Sequence, residues 1–239
     1  KRVTLELGGN AGVIVHHDAD VNYAAERSDW GGFSYAGQSC ISVQRVYVHA
    51  RIEQEFREQF LPPVQALVVG DPLDEATDVG PLINRDTADR LEAWVKDARA
   101  AGAEVLAGGE RSGSLWQPTV LANVRADIAD VCREVFAPLV GLFAYTDPQA
   151  AIRAVDDSEF GLQAGLFTND WNLIQDSFDG LEVGGLMIND VSTLRVDHMP
   201  YGGVKLSGEG REGVRYAIEE MTTPKLLTFN RRAASGAGG

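Results

Sequence analysis

Two residues of this chain join a reactive group to a setting that suits chemistry. Cys40 ends the run Ala36-Gly37-Gln38-Ser39-Cys40 and precedes an apolar stretch, Val43 to His49, which places its thiol on a loop at a strand edge. Loops on a rigid scaffold are where catalytic side chains concentrate, and a cysteine displayed there is a candidate nucleophile once deprotonated. Inert packing is the competing reading, because free cysteine is among the most often buried residues. Glu6 lies between Leu5 and Leu7 and ahead of Gly8-Gly9-Asn10. It is either an alternating strand residue facing water or, in a cleft, a carboxylate whose pKa burial lifts toward that of a general base. Two further segments, Glu134-Val135-Phe136-Ala137-Pro138 and Pro200-Tyr201-Gly202-Gly203-Val204-Lys205-Leu206-Ser207-Gly208, also set polar side chains among glycine and proline. Such residues let backbone turn sharply or approach a ligand closely. Cys132 has no comparable glycine context and reads as packing.

The elements that position these residues alternate in type. Val13-Ile14-Val15 reads as a strand, Val21 to Phe33 as a helix capped by Asp20, Val43 to His49 as a strand and Ile52 to Val68 as a helix. A third helix, Arg85 to Ala101, carries Leu91, Trp94, Val95 and Ala98 on one face and stops at Gly102. Strands follow at Val105-Leu106, Thr119 to Leu121, Leu139 to Tyr145, Gln163 to Thr168 and Gly185 to Asn189, with helices near Pro148 to Val155 and Trp171 to Gly180. Alternation of this kind implies an α/β fold, an open, mainly parallel twisted sheet covered on both faces by helices. No internal boundary is visible, so residues 1–224 read as one domain. Lys225 to Asn230 reads as an isolated strand arm, with 225–232 able to pair with a partner chain and 233–239 a small, flexible tail.

Composition narrows the classes. The 239 residues carry 21 Lys plus Arg against 35 Asp plus Glu, a net charge of −14. That balance argues against nucleic-acid binding, which needs clustered cations, and against an anionic membrane surface. No run approaches the roughly 20 apolar residues of a spanning helix. Two cysteines make no disulfide framework, which points to a reducing, cytoplasmic setting. No clustered metal-ligand pattern stands out.

Taken together, Glu6-Leu7-Gly8-Gly9-Asn10, Gly37-Gln38-Ser39-Cys40, Glu134 to Pro138 and Pro200 to Gly208 with Gly210-Arg211-Glu212 resemble the aldehyde dehydrogenase superfamily. Glu6 and Cys40 are 34 positions apart, the kind of interval that family uses, and the likeness runs from about Val3 to Leu227. Family members are about twice as long, so the chain looks like the catalytic domain plus oligomerisation arm. The dinucleotide glycine loop expected of the cofactor half is absent, since Gly8-Gly9 lacks a third glycine.

The resemblance implies roles. Cys40 would be the nucleophile that adds to a small-molecule aldehyde, and Glu6 the base that activates water to hydrolyse the thioester. The Cys40 backbone N–H would supply one oxyanion donor, the second lying in the other half. Glu134 and Phe136 would meet NAD or NADP at the ribose and nicotinamide, with Ala137 standing where the family carries glycine. Ser39, Ile41, Arg195, His198 and Tyr201 would line the substrate pocket. Arg195 would fork onto a carboxylate or phosphate, favouring an anionic or hydroxylated aldehyde, unless it pairs with Asp197 at the surface. Glu212 would relay a proton from Glu6 or form a structural ion pair. The full-length parent is expected to be a homo-oligomer, dimer or tetramer. Two competing functions are a non-catalytic assembly module and a weak Cys40-dependent ester or thioester hydrolase.

Overall fold

A computed structural model describes residues 3–124 and 133–230. Cys132 and the tail from 231 onward lie outside the described residues. In chain order the elements are β1 (Leu5–Glu6), β2 (Ala11–Val15), α1 (Val21–Phe33), β3 (Val43–His49), α2 (Glu53–Ala66), α3 (Arg85–Ala100) and β4 (Glu104–Ala107). Then come β5 (Arg111–Ser112), β6 (Leu115–Trp116), β7 (Thr119–Ala122), β8 (Leu139–Tyr145), α4 (Pro148–Asp156), β9 (Phe160–Gly161) and β10 (Gln163–Phe167). The chain continues through α5 (Trp171–Gly180), β11 (Gly185–Ile188), β12 (Val204–Lys205), β13 (Gly208–Glu209) and α6 (Val214–Met221).

Seven strands form the main sheet in the order β11-β10-β2-β3-β8-β7-β4, parallel throughout except for β4, which runs antiparallel at the edge. Alternation along the strands divides the core between two faces. Val13 and Val15 of β2 pack with Ala24, Ala25 and Phe33 of α1 and Phe56, Phe60 and Val64 of α2. Ile14 points the other way, against Ala151, Ile152 and Val155 of α4 and Leu173 of α5. Helices on both faces follow from strands that are apolar on both sides. Four helices begin at an Asp or Asn whose side chain accepts an early backbone N–H: Asp20, Asn84, Asp147 and Asp170. No described helix is long and apolar enough to cross a membrane.

One irregularity bears on the site. Ala11 pairs with Val43, but the next residue, Gly12, pairs with Arg45, so Gln44 is an extra residue in β3. Beyond this bulge the alternation changes phase: Val43, Val46 and Val48 all face the same core. A bulge re-aims the side chains beside it.

One difference from the sequence reading stands out. The helix α6 was not anticipated, although Val214, Ala217, Ile218 and Met221 sit at helical spacing. Lys225 to Asn230 is exposed and pairs with no strand among the described residues, while the pairing expected of it is with a partner chain.

A stability prediction follows from α1. Burial, helped by the nearby negative charge of Asp78, pushes the Asp29 carboxyl up to about 6, and its Oδ1 has no hydrogen-bond partner. The protonated form is the one the fold favours. Its contribution is complete below the unfolded carboxylate range, near 4, and is lost as pH rises through about 6. Asp29→Asn should therefore raise Tm at pH 7.5 by a few degrees and show no gain at pH 4. Calorimetry at both values checks the sign; a loss of stability at pH 7.5 would contradict it.

Candidate active site

All four sequence motifs meet at the amino-terminal ends of β2 and β3. Cys40 arrives there through an unusual backbone: Tyr35, Ala36 and Gly37 follow α1 with φ of 59°, 56° and 65°. Left-handed geometry at two residues bearing Cβ atoms is costly and persists only when its surroundings impose it. Those surroundings are specific. A Cβ on Gly37 would lie 2.2 Å from the Ala137 carbonyl, so the cysteine loop rests on the Glu134–Pro138 segment. Gln38 Oε1 accepts the Ile83 N–H at 2.9 Å, and Ser192 Oγ donates to the Ile41 carbonyl at 2.8 Å. Ser42 Oγ caps the end of the turn by donating to the Gly31 and Gly32 carbonyls at 3.2 and 3.3 Å.

Glu6 is held from the other end of the chain. β1 pairs antiparallel with β13, Glu6 opposite Gly208, and the Leu7 N–H donates to the Ser207 carbonyl at 3.0 Å. Gly208, at φ 136°, allows this approach, because its Cβ would lie 2.0 Å from the Leu5 carbonyl. The next segment threads between the two other loops. A Cβ on Gly9 would stand 2.0 Å from the Cys40 carbonyl oxygen, and one on Gly8 would stand 2.8 Å from Glu134 Oε2.

Gln44, the bulge residue, ties these loops together, and it was not singled out from sequence. Its Nε2 donates to the Gly9 carbonyl at 3.1 Å, while its Oε1 accepts the Val135 N–H at 3.0 Å and Asn10 Nδ2 at 3.3 Å. Arg45 beside it is buried and donates to the carbonyls of Asn10, Ala154 and Val155, fixing the start of β2 against the end of α4. The only clue in the sequence was a polar pair, Gln44-Arg45, inside an apolar strand.

Cys40 Sγ lies 3.3 Å from the Tyr201 hydroxyl, which lies 3.3 Å from Glu6 Oε1. Tyr201 is buried and packs with Ile41, Leu162 and Cys40. Burial, reinforced by the nearby Glu6 carboxylate, pushes the Cys40 thiol up to about 11, with a smaller contribution from Glu134. It is therefore protonated at neutral pH, and Glu6 is the acceptor at hand. Glu134 is half-buried, and its carboxyl is raised by burial although Oε1 accepts the Gly9 N–H at 2.9 Å. A carboxyl anchored through one oxygen, in space left by Gly8, with Phe136 two residues on at φ 51°, fits the hydroxyls and ring of a nucleotide sugar.

The remaining expected residues divide. Ser39 Oγ accepts the Ile41 N–H within the loop itself, at 3.5 Å. Arg195 does not pair with Asp197; it donates to Glu212 Oε2 at 3.0 Å and stacks 4.0 Å above the Tyr201 ring. Glu212 makes this ion pair and, among the described residues, no direct hydrogen bond to Glu6. His198 is exposed and lines a surface cleft with Val214, Arg215, Ile218 and Glu219. It makes no hydrogen bond or ion pair with the Cys40 group, because its loop turns it toward α6.

Residues 1–227 match the Aldehyde dehydrogenase family. The chain belongs to that family. It is 50% identical over 231 residues to 3-sulfolactaldehyde dehydrogenase of Priestia aryabhattai, covering 96% of this chain and 48% of that protein. The glyceraldehyde-3-phosphate dehydrogenase GapN of Methanocaldococcus jannaschii, solved with NADP, superposes with a TM-score of 0.88 at 44% identity, covering 92% of this chain and 48% of that one. Aldehyde dehydrogenase 21 of Physcomitrella patens, solved with its reaction product succinate, gives 0.89 at 44% identity, covering 92% and 46%. The chain thus spans about half the length of the relatives it matches.

Proposed function

We propose that this chain is the catalytic part of an NAD(P)-dependent aldehyde dehydrogenase that converts an anionic aldehyde to its carboxylic acid through a Cys40 thioester. The observation that carries the reading is the Tyr201 hydroxyl shared between the Cys40 sulfur and the Glu6 carboxylate. Sulfur adds to the aldehyde carbon, and the Cys40 backbone N–H would donate to the carbonyl oxygen as it gains charge. When bound, NAD or NADP would supply the hydride acceptor that the oxidation requires. Glu134 and Phe136 would hold its sugar and ring beside the sulfur. Glu6, exposed to solvent, then takes a proton from the water that attacks the acyl carbon.

The thioester reading is tested by acylating the chain with p-nitrophenyl acetate and mapping the acetyl group by peptide mass spectrometry. Selective labelling of Cys40 over Cys132, lost in Cys40→Ala, is the expected result. Equal labelling of both cysteines would count against it.

Arg195 supports the substrate class. Its guanidinium stands over the ring of Tyr201, whose hydroxyl meets the Cys40 sulfur, and its partner Glu212 is a partly exposed carboxylate that an incoming anion can displace. The three relatives described above act on or release anions by name: a sulfonate, a phosphate and succinate. Arg195→Leu in the full-length gene product should raise KM for anionic aldehydes by about 10- to 100-fold, the worth of one charge-assisted pair. Neutral aldehydes should change little, and an equal loss for both classes would remove the proposal.

Val214, Ile218 and Met221 of α6, with Leu226, Leu227 and Phe229 beyond it, are exposed apolar residues. They favour burial against a second copy of the chain, as the strand arm would require. A free-thiol nucleophile also favours a reducing, cytoplasmic compartment.

A further inference from the structure

A phenol carries one proton and can donate it once. Of its two neighbours at 3.3 Å, the ionised Glu6 carboxylate only accepts, whereas the Cys40 thiol can donate. With the phenol between them the chain runs one way, Cys40 S–H to the phenol oxygen and the phenol O–H to Glu6 Oε1. Glu6 also reaches the Cys40 thiol directly, with the phenol then donating to the sulfur, and loss of the phenol hydroxyl separates the two routes. We propose that Tyr201 is a catalytic residue that passes the Cys40 proton to Glu6. The inference rests on Cys40 being the nucleophile and names how it is activated.

In the step, the S–H bond breaks as a new O–H bond forms on the phenol, and the phenol's original O–H breaks as one forms on Glu6. One proton moves in net, one negative charge passes from carboxylate to sulfur, and nothing is oxidised or reduced. The phenol ends as it began. Glu6 is exposed and returns its proton to water.

The surroundings suit a relay rather than a resting phenolate. Burial, with Cys40 and Glu6 alongside, raises Tyr201 well above the usual phenol range, so it stays protonated between transfers. The Arg195 cation 4.0 Å over the ring works in the opposite direction, easing charge that gathers on the phenol oxygen in passing. Charged groups facing the relay are Glu6 and Glu134 on the Cys40 side and Arg195, paired with Glu212, on the ring side. Tyr201 is locked in place by its backbone bridge to Glu212 and by packing on Ile41 and Leu162.

The test is the rate of Cys40 alkylation by iodoacetamide from pH 5 to 11, resolved from Cys132 by peptide mass spectrometry. A relay gives the wild type a level rate through neutral pH, well below the range where hydroxide ionises the raised Cys40 thiol. Tyr201→Phe keeps the ring and removes the bridge, so the neutral plateau should fall at least ~10-fold, within the range of general-base assistance. The curves should merge where hydroxide alone ionises the thiol. Glu6→Gln should lower the plateau alike, and the double variant no further. A Tyr201→Phe plateau equal to wild type would overturn the relay while leaving the nucleophile intact. Wild-type Cys40 that lacks a plateau and labels no faster than Cys132 would overturn both. Should Tyr201→Phe fail to fold, the wild-type plateau in D2O decides: two protons in flight predict a clearly slower rate, and an unchanged rate rejects the relay.

Discussion

Gly9→Ala removes most Cys40 reactivity while leaving a folded protein. The added methyl would begin 2.0 Å from the Cys40 carbonyl oxygen, far inside the contact distance of about 3.5 Å. The clash is with backbone, which has no rotamer to turn away. Opening it moves either the cysteine loop or the Glu6 segment by about 1 Å, and a displacement of that size at a reacting centre costs about 100-fold in rate. Overpacking adds a loss of about 1–3 kcal/mol, or roughly 3–10 °C in Tm for a chain of this size. Gly80→Ala is the matched control, since its Cβ would meet only Pro72 Cβ at 3.7 Å. Iodoacetamide labelling and thermal melts of both variants decide the matter; a Gly9→Ala protein with wild-type labelling would refute the geometry.

Gln44→Ala should be the more destabilising of the two. It strips three groups of a partner at once: the Gly9 carbonyl, the Val135 N–H and Asn10 Nδ2. Buried polar groups left unsatisfied cost about 1–3 kcal/mol each. Some relief by water or by the other Asn10 contact leaves an expected loss of about 3–5 kcal/mol. Gln44→Glu separates hydrogen bonding from volume. Its carboxylate keeps the two acceptor contacts but faces the Gly9 carbonyl, so the protonated form is favoured in the fold and the folded pKa is raised. The stability of Gln44→Glu should therefore fall as pH rises through that raised value, whereas Gln44→Ala should show no such dependence. Urea titrations at pH 5 and pH 8 measure both, and a Gln44→Glu variant more stable at pH 8 would reverse the argument.

The elements were legible because they obey local rules. Asp20 before Val21 capped a helix as read, Gly102 ended another in a left-handed turn at φ 101°, and the valine-rich runs formed the central strands. The pairing of Cys40 with Glu6 was legible only as a motif, since nothing local links residues 34 positions apart. What escaped was set by tertiary contact. Gln44 looked like an ordinary strand residue, and only the shifted pairing of β2 with β3 turns it toward three loops. Arg195 offered two partners on paper; the structure chose a third, Glu212, because Tyr201 and Glu212 bridge through their backbones and bring the two side chains together. The helix α6 had its pattern in plain view, but none of its residues is buried among the described residues, so no neighbouring element hinted at it.

The bulge at Gln44 also makes the distance from nucleophile to strand a matter of parity. Adding or deleting two residues in a strand preserves which way each side chain faces, while a change of one inverts everything on one side of the edit. Between Cys40 and Val46 that inversion has already been used once. A single-residue deletion there would swing either the valines out of the core or the sulfur away from Glu6, whichever end gave way. Lengthening or trimming the hairpin turn at Gly113 carries no such constraint, since that glycine has open space around it.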